Sequence, residues 1–220
     1  MTLETLVLVI GAAALIYTLL IRFVWKAGDF WLMSFLQSFT GFLFLFSGWV
    51  KAVDPLGTAF KMEEYFAEFE ATFEATWFSF LAPIFPVLSQ SSVSFSVIII
   101  TLELLLGALL ILGHWRKFTA WTFLLVVLFF TMLTGFTFLT GFVPSGENFF
   151  HFAAWGPFQE QNMRVTDCGC FGDFLVLKPS TSFLKDVILV IPALFFVFRY
   201  RDMHSVLNYS TRSLISALVV

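Results

Sequence analysis

The chain has 220 residues, of which 59% are hydrophobic, 20% aromatic and only 12% charged, with a mean hydropathy of +0.91. Soluble domains carry roughly a quarter charged residues, so this composition excludes an ordinary soluble globule and specifies a membrane protein. A net charge of −3 without any basic run also excludes nucleic acid as a partner, because phosphate binding rests on clustered Lys and Arg.

Crossing a hydrocarbon core takes about 20 apolar residues in a helix. Five runs meet that length in chain order: Leu6 to Phe23, Leu32 to Val50, Val93 to Gly113, Phe118 to Thr140 and Phe183 to Phe198. Backbone polar groups in lipid must be bonded within the segment, and no stretch alternates as barrel strands do, so each run is expected to be helical. A last run, Leu214 to Val220, stops with the sequence and is too short to span, so the chain is expected to continue.

The second run ends in Phe46-Ser47-Gly48-Trp49-Val50-Lys51-Ala52-Val53-Asp54-Pro55-Leu56-Gly57, which opens a long connection, 51–92. Within it Met62, Phe66, Phe69, Phe73 and Trp77 recur at spacings of three and four, with Glu63, Glu70 and Glu74 opposite. This is the pattern of an amphipathic helix lying along the membrane surface. Its acidic face does not suit anionic headgroups; a lid over the bundle with a solvated acidic face and a partner-docking helix are the two readings. Pro83 and Pro86 keep the third span from starting before Ser89.

Glu103 falls inside the third span. A carboxyl group there is costly, so it should face the bundle interior, paired or neutral. Ser92, Ser96 and Gly107 share its helical face and form a small-residue seam. Glu103 is therefore either a proton relay or ligand contact, or an interhelical hydrogen bond. In the fourth span Thr131, Thr134, Gly135 and Gly141 lie close to one face, which suits packing against that seam. His114 and His204 fall at helix ends and are expected to be solvated.

The second long connection, 141–182, holds both cysteines in Val165-Thr166-Asp167-Cys168-Gly169-Cys170-Phe171-Gly172-Asp173. A bridge across one residue closes almost no loop and gains little entropic stability, so a structural disulfide is a weak reading. So small a ring would strain the bond and raise its potential, which suits thiol–disulfide exchange. Gly169 and Gly172 would permit the tight backbone. Two buried free thiols are the other reading. Zinc needs about four ligands, and two thiols with His151 fall short, so no metal is expected. Asp167 and Asp173 raise a neighbouring thiol pKa, which Arg164 or Lys178 would offset. His151 is a candidate acid or base near the pair, or an interfacial packing residue.

Basic residues orient the spans. Arg22 and Lys26, Arg116 and Lys117, and Arg199, Arg201 and Arg212 fall in the three short connections, which places those in the cytoplasm. The N-terminus and both long connections then lie outside, where disulfides persist. The absence of a basic segment before the first run argues against a cleaved signal peptide.

Together, the Phe46 to Gly57 stretch and Thr166-Asp167-Cys168-Gly169-Cys170-Phe171-Gly172-Asp173, followed by Phe183-Leu184-Lys185-Asp186, resemble the DoxX-like and MauE-like membrane proteins of bacteria over roughly Leu32 to Tyr200. The resemblance implies a four-helix membrane domain, here residues 29–200, with residues 1–28 an added helix and 201–220 a cytoplasmic connection leading into a further apolar segment. It also implies an inner-membrane location and an association with thiol redox or maturation of a disulfide-containing periplasmic protein. Its motif positions here are Gly48, Trp49, Lys51, Asp54, Pro55, Gly57, Asp167, Gly169, Gly172, Asp173, Lys185 and Asp186.

The sequence thus predicts an all-α, polytopic transmembrane bundle in which Cys168 and Cys170 form a redox pair acting on a periplasmic or membrane protein partner. No cofactor is evident; a quinone has no legible site, although Glu103 beside the aromatic bundle is one place for it. The rival reading is a non-enzymatic structural or assembly subunit of an envelope complex, and a weaker third is a transporter, for which no inverted repeat or broken helix pair is evident.

Overall fold

The computed structural model describes residues 2–26, 30–74, 76–165, 169, 171–175 and 177–206. The described chain is an all-α bundle with no strand, and five of its helices are long and apolar enough to cross a membrane. These are α1 (Leu3–Phe23), α2 (Trp31–Val53), α5 (Ser92–Leu112), α6 (Arg116–Thr140) and α7 (Pro179–Phe198). Two further helices, α3 (Pro55–Glu74) and α4 (Ile84–Gln90), fill the connection between α2 and α5. The chain is therefore a multi-pass membrane protein. One end of the bundle carries the two long connections and is called the long-loop end; the other carries short turns. The Leu214 to Val220 run lies outside the described residues.

Local rules set the helix starts. Thr2 and Thr5 satisfy each other's backbone N–H in a capping box at α1. Asp54 caps α3: its carboxylate accepts the Gly57 N–H at 3.0 Å, Pro55 occupies the first helical position, and a β carbon at Gly57 would run into that carboxylate. Asp54, Pro55 and Gly57 are thus accounted for as a helix start. Pro86 is accommodated in the first turn of α4, and the break at Ser91 separates α4 from α5.

In lipid, helices gain no hydrophobic driving force against one another, so close packing and polar ties hold the bundle. The α2–α5 pair meets at two glycines. A β carbon on Gly107 would lie 2.8 Å from the Leu45 backbone nitrogen and 2.9 Å from the Gly41 carbonyl oxygen, so only bare backbone allows this approach. The α5 seam therefore faces α2 at Gly107, while Ser92 and Ser96 serve α3: Ser92 donates to Glu63 at 2.6 Å and Ser96 to the Pro55 carbonyl at 2.7 Å.

The threonine and glycine face of α6 does not pack on that seam, contrary to the sequence expectation. It packs on α7, with Gly135 making room for the Phe183 ring and Thr134 donating to Asp186 at 3.0 Å, while Gly141 lies beyond the helix against Phe158. A single spacing pattern could not say which of two neighbours the face would meet.

Helix α1 packs on α2 through Leu6, Ile10, Ala14, Thr18 and Ile21 and leaves Leu8, Val9 and Ile16 exposed on its other side. Helix α3 buries Met62, Phe66 and Phe69 against α4, α5 and α6. Trp77 does not belong to that face: α3 ends at Glu74 and Trp77 is 82% exposed. Many of the chain's 32 Phe residues meet at this end, where rings interlock between α3, α4, α6 and the loop, as in Phe69–Phe136 at 4.8 Å and Phe136–Phe149 at 5.2 Å.

The short-turn end is closed by buried polar groups. Gln37 donates to the Leu110 carbonyl at 2.7 Å and accepts the His204 N–H at 3.0 Å, and His204 Nε2 donates to the Ile111 carbonyl at 2.9 Å. His204 is therefore not solvated: it is 1% exposed, and burial lowers its pKa to about 4. His114 is half-buried rather than fully exposed.

Candidate functional site

The Phe46 to Gly57 stretch and the described residues of the cysteine loop, Gly169, Phe171 and Gly172, come together at the long-loop end. On α2, Ser47 and Lys51 stand one turn apart and face Glu103 of α5. Lys51 is in ion-pair contact with Glu103 and is 4% exposed against 2% for its partner. Ser47 donates to the other carboxylate oxygen at 3.2 Å. Gly48 permits this: a β carbon there would lie 3.0 Å from the Leu104 side chain and 3.2 Å from Glu103 Cβ. The Lys51 ammonium also sits 4.5 Å above the Phe130 ring of α6. Lys51, which the sequence places at the start of a solvated connection, is thus a core residue of the last turn of α2.

A second ion pair faces the first. Lys185 and Asp186, adjacent on α7, are in contact, and Asp186 also accepts from Thr134. The Lys185 ammonium lies 5.4 Å from the Phe171 ring centroid. Ser47, Lys51, Glu103, Lys185, Asp186 and Phe171 all line one cavity of about 20 Å³ among α2, α5, α6 and α7, room for about one water. Two cations and two anions balance within it, which is how buried charge is tolerated in a bundle core.

Phe171 links this core to the cysteine-bearing loop. It is 1% exposed and its ring lies 6.1 Å from that of Phe46. Cys168, Cys170 and Asp167, and the side chain of Asp173, lie outside the described residues. Their neighbours Gly169 and Gly172 have φ of +58° and +50°, a left-handed backbone that glycine adopts without penalty. Gly169 lies against Lys61 of α3, and Gly172 against Val50 of α2.

These two glycines form one wall of a cleft of about 480 Å³. The other walls come from α2 and α3, with Asp54, Thr58 and Lys61 as the polar part and the exposed rings of Trp49, Phe60 and Phe174 at the rim. The Lys61 side chain borders the loop at Gly169, and its ammonium pairs with Glu64 at 2.8 Å. Arg164 turns elsewhere: it donates to Thr72 at 3.0 Å and to the Glu147 carbonyl at 2.7 Å, and lies 3.7 Å from Glu68. Burial pushes the Glu68 carboxyl above its usual pKa, and the Arg164 charge opposes that rise. His151 is 64% exposed, pairs with Glu147 at 3.1 Å and lines a different hollow.

Lys61 and Phe130 were not singled out from the sequence; Ser47 appears there only within the Phe46 to Gly57 stretch, and Thr134 only as part of a packing face. Lys61 reads there as one charge on the polar side of α3. The available signal was its position about two turns after the Asp54 cap, which keeps it in the α2 half of the helix. No protein-family profile, curated protein or solved structure matches this chain.

Proposed function

We propose that this chain is a bacterial inner-membrane protein whose long-loop end faces the periplasm and whose Cys168 and Cys170 exchange disulfides with a periplasmic or membrane protein partner. The observation that supports the reading is the cleft: Gly169 and Gly172, on either side of Cys170 in the chain, form its wall against the Lys61 side chain, whose ammonium is paired with Glu64 at 2.8 Å. The reading also accords with the resemblance to DoxX-like and MauE-like proteins.

In the exchange, the thiolate of one cysteine attacks a sulfur of the partner disulfide and displaces the partner's other sulfur as thiolate. The second cysteine then attacks the mixed disulfide and releases the partner as a dithiol, so one disulfide is consumed and one formed. Run backwards, the same steps oxidise the partner. Phe171 seated against Lys185 anchors the loop to the bundle. Glu103, engaged by both Lys51 and Ser47, fits an interhelical tie better than a proton relay.

The test is trapping in intact cells. Cys168→Ser and Cys170→Ser, made singly, should differ: the variant that keeps the attacking thiol accumulates a mixed disulfide that reductant releases, and the double variant accumulates none. If neither single variant traps a partner and the double variant supports normal growth and partner maturation, the redox reading fails. The assembly-subunit reading has one observation in its favour, the apolar outer face of α1, and predicts a stoichiometric complex that survives loss of both cysteines.

A further inference from the structure

Away from the cysteine loop, a second large hollow lies between α3, α4 and α6. It has a volume of about 550 Å³, within the usual range for small-molecule sites. Rings of Phe69, Phe73, Phe85, Phe136 and Phe149 wall it. Only two hydroxyls reach it, and both are engaged within the protein: Thr72 accepts from Arg164 at 3.0 Å, and Thr131 donates to the Val127 carbonyl at 2.7 Å. Apart from these two hydroxyls the side chains lining the hollow are apolar. Water would enter such a space only with two to four polar partners, and a void of this size would forfeit the dispersion contacts of every ring around it.

The hollow is continuous with surface that a bilayer would cover. Met132, which lines it, is 55% exposed on α6, next to Leu128 and Leu125 on the same outer face. On its other side it shares Phe150 with a hollow of mixed lining, formed by Thr76, Trp77, Asn148, His151 and Phe152. Trp77 there presents the most exposed ring of the aromatic set, beside the Glu147–His151 pair. Aromatic faces with a nearby carboxylate suit a cationic headgroup, and the apolar hollow suits hydrocarbon.

From this juxtaposition we propose that the chain holds one membrane phospholipid, with an acyl chain inserted among the rings of α3, α4 and α6 and the headgroup in the hollow at Trp77 and His151. This site is independent of the thiol chemistry and rests only on the chain's place in a bilayer.

The experiment uses the full chain in phosphatidylcholine vesicles containing a phosphatidylcholine with a diazirine in one acyl chain. After irradiation, adducts are mapped by peptide mass spectrometry. The expected result is labelling of the peptides carrying Phe69 and Phe136 several-fold denser than labelling of α1 at Leu8 and Ile16, which face out without a hollow. Met132→Trp and Leu139→Trp, which fill the space from different points, should each lower labelling at Phe69 and Phe136 several-fold while α1 labelling is unchanged, which also reports an intact fold. Adducts spread evenly over the outer surface of the wild-type chain would overturn the proposal, as would unchanged labelling in both filled variants.

Discussion

Removing Lys51 is the sharpest perturbation of the bundle core. In Lys51→Met the Glu103 carboxylate, 2% exposed, keeps only the Ser47 hydroxyl at 3.2 Å. Leaving one member of a buried pair uncompensated costs about 3–5 kcal/mol, and loss of the contact with Phe130 adds up to about 2 kcal/mol. Replacing both charges, Lys51→Met with Glu103→Leu, removes the desolvation cost together with the attraction, and such swaps run from neutral to stabilising. The double variant should therefore be more stable than Lys51→Met alone, with a coupling of at least about 2 kcal/mol in a double-mutant cycle. Reversible unfolding of the four proteins in mixed detergent–lipid micelles measures this. A loss under about 1 kcal/mol for Lys51→Met, or double-variant losses equal to the sum of the singles, would refute the assignment of this pair as a buried tie.

Other perturbations follow from the same geometry. Gly107→Ala should cost about 1–3 kcal/mol by overpacking, because its β carbon meets α2 backbone, whereas Gly11→Ala, with nothing within 4 Å, should be neutral or stabilise by up to about 1 kcal/mol; thermal unfolding of the two variants checks the contrast. Thr134→Val should destabilise by about 1–3 kcal/mol, as a charged acceptor loses its donor, with Thr134→Ser retaining most of the stability in the same melts. His204 is neutral in the folded chain with its pKa lowered to about 4 from 6.5, while the unfolded chain takes up a proton below about 6.5. Stability present above that pH is therefore lost as pH falls from about 6.5 towards 4, by up to about 3 kcal/mol, and His204→Gln should flatten that part of a pH–stability profile.

The spans were legible because the bilayer imposes one length and one chemistry on each. The amphipathic face of α3 was legible for the same reason up to Phe73. Trp77 shows where periodicity stops being informative: the helix ended before the pattern did. The cysteine loop and the Phe46 to Gly57 stretch were each conspicuous as residues. Their convergence on one cleft was not, because more than a hundred residues of sequence separate Lys61 from Gly169.

The sequence by itself determined the solvent of this protein, its five helices long and apolar enough to cross a membrane and the places where charge had to be explained, since hydropathy and helix length act residue by residue. Only the tertiary structure decided who answers each charge. Lys51 meets Glu103, Lys185 and Asp186 face them across a cavity of about 20 Å³, and His204 is closed off beneath Gln37. A buried ion is stable only beside a particular partner at contact distance, and that depends on how helices cross. Here the crossing turns on Gly41 and Gly107, where the backbones of α2 and α5 touch.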